Sequence, residues 1–348
     1  MKVVVVGAGF AGATVAARHK AAGDRVRVYD CRDHIAGNAY DKPAPTGTGL
    51  IHVYGPHLLH HSSQVVHEFL SRYTEWIPYE HKVKALLPSG KLVPMPPNLE
   101  TIAAFTDLPA EEYLAKVRVP HEKPGNLLEL AEATYGPEIA NVLFKFYTEK
   151  MWAKPATQVP VSVGKRLPIR LNHDDRYFLD EYQYLPKAGY TALIGAMLEG
   201  CQVQLNTFIK LSDFDKLNAD IIYYSGRLDQ LFDYCLGELE FRQVEFSHQL
   251  LDPDSIFAKY PTINFTSQPR FTRVSCWSHI TGTSEPWGVW ETPKAGGDMY
   301  PNGSEALQRA YEQMLPANVI ANGRCANYVY RDMWAAVAYA LNLTKHLV

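Results

Sequence analysis

A chain of 348 residues, 47% hydrophobic and 20% charged, has material for two or three domains with sizeable apolar cores. Its formal net charge of -3 argues against a nucleic-acid binder, which needs a basic surface. No stretch approaches the roughly 18–20 apolar residues that cross a bilayer, so no membrane partner is expected.

In chain order, KVVVV at 2–6 reads as a parallel strand buried on both faces. GAGFAG follows at 7–12, and an alanine-rich helix is predicted over 10–21. RVRVYD at 25–30 is a second strand, which closes a β-α-β unit. Gly7 suits the tight turn, Gly9 the close approach of backbone to a pyrophosphate, and Gly12 the packing of helix on strand. Asp30 ends the second strand, placed to accept from a ribose hydroxyl. The pair Gly37-Asn38 follows soon after. A glycine there lets backbone amides reach a pyrophosphate from the other side, which favours an extended FAD over NAD.

The run HLLHH at 57–61 would offer three imidazoles at i, i+3 and i+4 on a helix. Gly55-Pro56 ahead of it argues for irregular chain, and no metal site is expected there. Five dispersed cysteines without ligand spacing point to a reducing compartment, here taken as the cytoplasm. The region 63–145 reads as mainly helical, with segments near 63–72, 110–118, 126–134 and 137–146, interrupted by the proline-rich stretch 86–100. A further helix is predicted over 191–199. Alternating patterns at 239–247 and 287–291 predict antiparallel strands, and 331–345 predicts a final helix. The N-terminal unit, Gly323-Arg324 and the last helix fit one domain, with the middle of the chain inserted into it.

Several motifs together resemble the UDP-galactopyranose mutase family. They are GAGFAG, GNAYD at 37–41, YGPHLLHH at 54–61, FYTEKMW at 146–152, VSVGKRLPIRLNHDDRYF at 161–178 and YLPKAGYTALIGAMLEG at 184–200. YSGRLDQLFDYCLGELEFR at 224–242, FTR at 271–273, MYP at 299–301 and GRCANYVYRDM at 323–333 extend the match through the whole chain. The resemblance implies an α/β fold: a Rossmann-like FAD-binding domain with an inserted helical domain and an antiparallel β-sheet domain. On that reading the FAD-binding domain takes 1–62, 186–228 and 306–348, the helical domain 63–145, and the sheet domain 146–185 and 229–305.

It also implies a redox-neutral isomerisation of a nucleoside-diphosphate sugar between pyranose and furanose forms. N5 of the reduced FAD would form a covalent adduct with the sugar as the diphosphate leaves. NAD(P)H or another reductant would activate the flavin. Arg166 and Arg273 match the diphosphate-binding arginines, with Arg170 a nearby substitute. Tyr147, Trp152, Tyr177, Tyr300, Tyr330 and Asp332 match substrate-pocket positions, and Phe144 a ring near the base. His57 matches a histidine beside the flavin, while Gly323 and Arg324 match the pyrophosphate end. Asp332 and Met333 would bring the start of the last helix to the flavin. Segment 161–176 is expected to close over substrate, carrying Arg166 to the diphosphate.

Departures from the family's pattern leave sugar and base open, with a UDP-sugar first and GDP- or dTDP-sugars next; a homodimer is also expected. Among these, VSCWSHITG follows FTR, Arg227 stands after YSG, and Met299 precedes Tyr300. The alternative is a flavin oxidoreductase of the amine oxidase or desaturase class. A noncatalytic nucleotide-sugar binder is a further one.

Overall fold

The computed structural model describes residues 1–164, 170–268 and 270–347. Strands are numbered in chain order. The valines of β1 (Lys2–Val6) alternate between two cores, Val3 and Val5 on one side and Val4 and Val6 on the other. Burying such a side chain stabilises by roughly 1.5–3 kcal/mol, so a strand wet on either face would lose about half of that gain. The strand is accordingly central in a parallel sheet, flanked by β2 (Arg25–Tyr29) and β11 (Ile221–Tyr224), with β10 (Gln202–Gln204) and β17 (Val319–Ala321) at the edges. The helices Phe10–Ala21 and Met333–Leu343 pack together on one face through small residues such as Ala13, Ala17 and Ala340.

A second, seven-stranded sheet carries the middle of the chain, in the order β16-β12-β15-β14-β13-β7-β8. These are β16 (Tyr300–Pro301), β12 (Phe241–Leu250), β15 (Trp287–Ala295), β14 (Arg273–Cys276), β13 (Thr262–Phe265), β7 (Val83–Leu86) and β8 (Leu92–Met95). All its pairings are antiparallel except β13 with β7. The smaller sheets are β3 (Asp41–Pro43) with β4 (Leu50–His52), and β5 (Leu59–His61), β9 (Tyr182–Pro186) and β6 (Trp76–Pro78).

The mainly helical reading of 63–145 is corrected over 76–95, which forms β6, β7 and β8. Val83 and Ala85 turn inward while Lys84 and Leu86 are half-buried, a two-residue period hidden by the prolines around it. Pro94 is tolerated because β8 is an edge strand, where one row of amides needs no partner. The helices Ala110–Val117 and Leu127–Tyr135 form as expected, while the segment expected over 137–146 forms a short helical turn, Pro137–Ile139, and a π-helical turn before the helix Phe146–Trp152. They share one core with β7 and β8, in which Val83, Val93 and Met95 meet Leu114, Leu127 and Leu143. The helix Gln64–Leu70 instead buries Val66, Phe69 and Leu70 in the core of the parallel sheet. The chain enters Phe146–Trp152 through a wider π-helical turn, Ala140–Lys145, a feature frequent beside functional sites.

Candidate active site

The turn after β1 is shaped for a phosphate. A Cβ at Gly12 would lie 1.9 Å from the carbonyl oxygen of Gly7, so only glycine lets the helix start this close to the strand. Gly9 and Gly37 approach backbone to backbone, a Cβ on Gly37 falling 3.2 Å from the Gly9 Cα. The helix Phe10–Ala21 begins at Gly9 without a side-chain cap, which leaves its first amides open to an anion. Asp30 is buried at the end of β2 and accepts from the amides of Ala8 (2.7 Å) and Arg32 (2.9 Å), which fixes both carboxylate oxygens at the cleft wall. Arg32 donates to Asn38 Oδ1 at 2.9 Å and so orients that side chain.

These residues line one cleft with His57, Ser225, Gly323, Arg324 and Met333. The Ser225 hydroxyl is buried there with no partner among the described residues, an orphan that a bound polar group would satisfy. Helix Met333–Leu343 opens at the same cleft with Asp332 as its first flanking residue. An uncapped glycine turn, a second helix start and an acid at the strand end fit an extended dinucleotide such as FAD. His57 donates through Nδ1–H to the Gly55 carbonyl at 2.9 Å, and its backbone amide donates to His52 Nδ1 at 3.0 Å. Burial pushes the His57 imidazole down to about 4, and Arg324 adds to this, so at neutral pH the ring is uncharged.

Arg324 bridges from this cleft to a tyrosine-lined pocket. Its guanidinium donates to the Met299 carbonyl at 2.8 Å and lies 5.7 Å and 5.5 Å from the ring centres of Tyr300 and Tyr330. Those two rings stack at 5.7 Å, and Trp152 meets Tyr300 edge-on at 6.3 Å. Tyr330 also donates to Asp332 Oδ1 at 3.0 Å. Beyond Tyr300 stands Arg273, whose guanidinium donates to the Tyr147 hydroxyl and lies 3.4 Å from Glu291. Desolvation works against its charge, but Tyr147, Glu291 and Tyr177 outweigh it and hold Arg273 firmly protonated. Burial in turn raises Glu291, with Arg273 opposing.

Tyr147, Trp152, Tyr177, Tyr300, Tyr330 and Arg273 thus converge from a helix, two loops and two strands. Phe144 does not join them as an open face. It is 5% exposed and stacks on Tyr135 at 5.1 Å inside the helical core, so the expected base contact is corrected. Arg170 is corrected too. It is buried and donates to the carbonyls of Asp174, Arg176 and Tyr177, so it braces that loop and is no substitute phosphate ligand. Arg166 lies outside the described residues. His60 and His61 lie in β5, where neighbours point to opposite faces, so the helical spacing of HLLHH is not formed.

Glu291 and His81 escaped the reading of the sequence. His81 is buried, accepts the Tyr177 amide on its carbonyl at 2.6 Å, and meets the Tyr177 ring at 6.0 Å. The only signal for Glu291 was an acid inside the apolar run VWETP of a predicted strand. For His81 there was none, since its loop bridges to Arg176 only in the folded chain.

A model of the UDP-galactopyranose mutase family matches residues 142–330, the span that holds this pocket. The chain belongs to the UDP-galactopyranose mutase family. A probable UDP-galactopyranose mutase of Klebsiella pneumoniae is 30% identical over 362 residues, covering 97% of this chain and 92% of the relative. A dTDP-fucopyranose mutase of Escherichia coli is 29% identical, covering 99% of this chain and 97% of the relative. A solved structure of reduced UDP-galactopyranose mutase superposes with a TM-score of 0.77 at 15% identity, over 99% of this chain and 93% of the other. Residues 5–73 match an NAD(P)-binding Rossmann-like domain, in line with the glycine turn and Asp30.

Proposed function

We propose that the protein is a flavin-dependent mutase that interconverts the pyranose and furanose forms of a nucleoside-diphosphate sugar. UDP-galactose comes first as the substrate, with a dTDP-fucose-type sugar next. The observation that carries this reading is the single run of groups from the dinucleotide cleft through Arg324, Tyr300 and Tyr330 to Arg273. A cofactor ring at the Met333 end would lie beside a cationic pocket built for an anion. Relatives acting on UDP-galactopyranose and on dTDP-fucopyranose both support a nucleotide-linked sugar and leave its base open.

FAD would be held by the amides at Gly9–Gly12 and Gly37, with Asp30 on the ribose, Arg324 near the pyrophosphate and His57 beside the flavin. When bound and reduced, the flavin supplies an electron-rich N5 as nucleophile toward the anomeric carbon. Arg273 stabilises the charge that grows on the diphosphate as the anomeric C–O bond breaks, and the same contact returns the diphosphate to the reclosed sugar. Arg166 is proposed as the second cation. The hydroxyls of Tyr147, Tyr177 and Tyr300 donate to phosphate or sugar oxygens, Tyr330 accepts on the oxygen whose hydrogen it gives to Asp332, and the rings exclude water. Neutral His57 would lie beside the flavin without adding charge. Sugar and flavin end at the oxidation levels at which they began, so NAD(P)H or another reductant serves only to activate the enzyme.

The test is product analysis with dithionite-reduced protein, offered UDP-galactopyranose, dTDP-fucopyranose and GDP-sugars in parallel. A furanose that forms only with reduced flavin supports the mutase and names its nucleotide. Flavin reduced by an organic substrate, with no sugar isomer, would transfer the protein to the oxidoreductases.

A further inference from the structure

The helix Phe146–Trp152 grips the start of β14 at two points. Tyr147 and Lys150 are three residues apart and so share one face of that helix. Tyr147 accepts from the Arg273 guanidinium. The Lys150 ammonium reaches the stretch of chain just before Arg273. It donates to the carbonyl of Gln268 at 2.6 Å, to that of Phe265 at 3.3 Å, and to that of Phe271. An ammonium has three donors, and all three are used. Phe265 ends β13, and Phe271 stands two residues before Arg273, the first residue of β14. The lysine therefore ties together both ends of the connection that delivers Arg273 to the pocket.

Its own anchorage is firm. Arg242 of β12 donates to the carbonyls of Met151 (3.1 Å) and Lys150 (3.4 Å), pinning the end of the helix to the second sheet. Glu149 on the same turn accepts from the Ala156 amide at 3.2 Å. Lys150 has no carboxylate within ion-pair distance among the described residues. A half-buried lysine without a counter-ion is costly, and here carbonyl dipoles replace the counter-ion. Surface lysines seldom have that arrangement.

We propose that Lys150 is a positioning residue for Arg273, holding the carbonyls of Phe265, Gln268 and Phe271 so that the guanidinium meets the diphosphate of the substrate. The inference rests on the reading of Arg273 as the diphosphate ligand. Lys150 touches neither substrate nor cofactor. Its loss frees Phe271 and the start of β14 to shift, and Arg273 then no longer faces the phosphates. The effect falls on diphosphate recognition, not on the dinucleotide cleft.

The experiment compares wild type, Lys150→Met, Lys150→Arg and Arg273→Ala as FAD-loaded proteins, titrated with UDP, dTDP, uridine and thymidine. Lys150→Met is expected to weaken the preferred diphosphate by about tenfold, equivalent to ~1.4 kcal/mol. Nucleoside binding and flavin content should stay within about twofold of wild type. Lys150→Arg, which keeps several donors, should recover most of the loss. Adding Lys150→Met to Arg273→Ala should cost nothing further, because the lysine acts through the arginine. Wild-type diphosphate affinity in Lys150→Met, or a further loss in the double variant, would overturn the inference while leaving Arg273 as ligand. Wild type binding UDP and dTDP no better than the nucleosides would instead remove the reading of Arg273. If Lys150→Met does not accumulate folded, Lys150→Gln replaces it in the same comparison, with the same outcomes.

Discussion

Arg273 and Glu291 are direct register partners on β14 and β15, with the guanidinium Nε 3.4 Å from the carboxylate. The sheet backbone sets that distance, so the pair is preorganised before any ligand arrives. Arg273→Ala should lower kcat/KM of the reduced enzyme by about 10²–10³-fold, the usual loss for one charge-stabilising group. Arg273→Lys should recover little, because an ammonium cannot fork between Tyr147, Glu291 and a phosphate. Glu291→Gln should cost less than Arg273→Ala, since it loosens the arginine without removing it. Steady-state kinetics on dithionite-reduced protein decides, and a kinetically silent Arg273→Ala would refute the site.

Gly12 tests the dinucleotide cleft separately. The Cβ of Gly12→Ala would sit 1.9 Å from the Gly7 carbonyl oxygen, and backbone cannot yield as a long side chain can. The helix start must move away from β1, and the phosphate amides move with it. Purified Gly12→Ala is expected to retain less than about a tenth of the wild-type flavin per chain, a loss of more than ~1.4 kcal/mol in binding. Flavin absorbance against protein concentration measures it, and full flavin content would contradict the geometry.

Arg227 and Asp229 form a buried pair, with side chains 6% and 0% exposed. Arg227 also donates to the carbonyls of Gly297 (2.7 Å) and Leu239 (3.0 Å), and so joins the parallel sheet to the second one. Arg227→Met alone leaves Asp229 charged and buried, and should cost ~3–5 kcal/mol. Arg227→Met with Asp229→Leu should cost distinctly less than the two single changes added together. Urea unfolding of the four proteins gives the cycle. Simple additivity would mean that the two side chains act independently.

Stability should fall on the acid side. Burial holds His81 at about 3 and His61 at about 4, and His52 well below its ordinary value, all against about 6.5 in an unfolded chain. Below pH ~6.5 the unfolded chain takes up protons that the folded one refuses. Their contribution is therefore complete above pH ~6.5 and is lost progressively as pH falls toward about 4. Each such histidine adds a slope of up to about 1.4 kcal/mol per pH unit in that window. Thermal unfolding followed from neutral pH to about pH 4.5 should show a steep drop in Tm that His81→Asn makes shallower. A Tm independent of pH over that range would show that these rings are not neutral in the folded protein.

Local spacing was enough to determine the dinucleotide unit. Four valines, three glycines at fixed offsets and an acid at the next strand end allow one backbone path, because Gly12 must touch Gly7 and Asp30 must cap the cleft. The motifs from FYTEKMW to GRCANYVYRDM likewise marked Tyr147, Arg273, Tyr300 and Tyr330 before any of them had a position. Tertiary structure decided what lies between those motifs. The strands at 76–95 depend on partners remote in sequence, β6 on β9 and β7 on β13, and Pro94 survives only because β8 became an edge. Phe144 and Arg170 carry the residue types of a binding site. Packing gave Phe144 to Tyr135, and three loop carbonyls took the donors of Arg170. Glu291, His81 and Lys150 gained their places from register and loop closure, which bring distant residues within a few ångströms and leave no periodic trace in the chain.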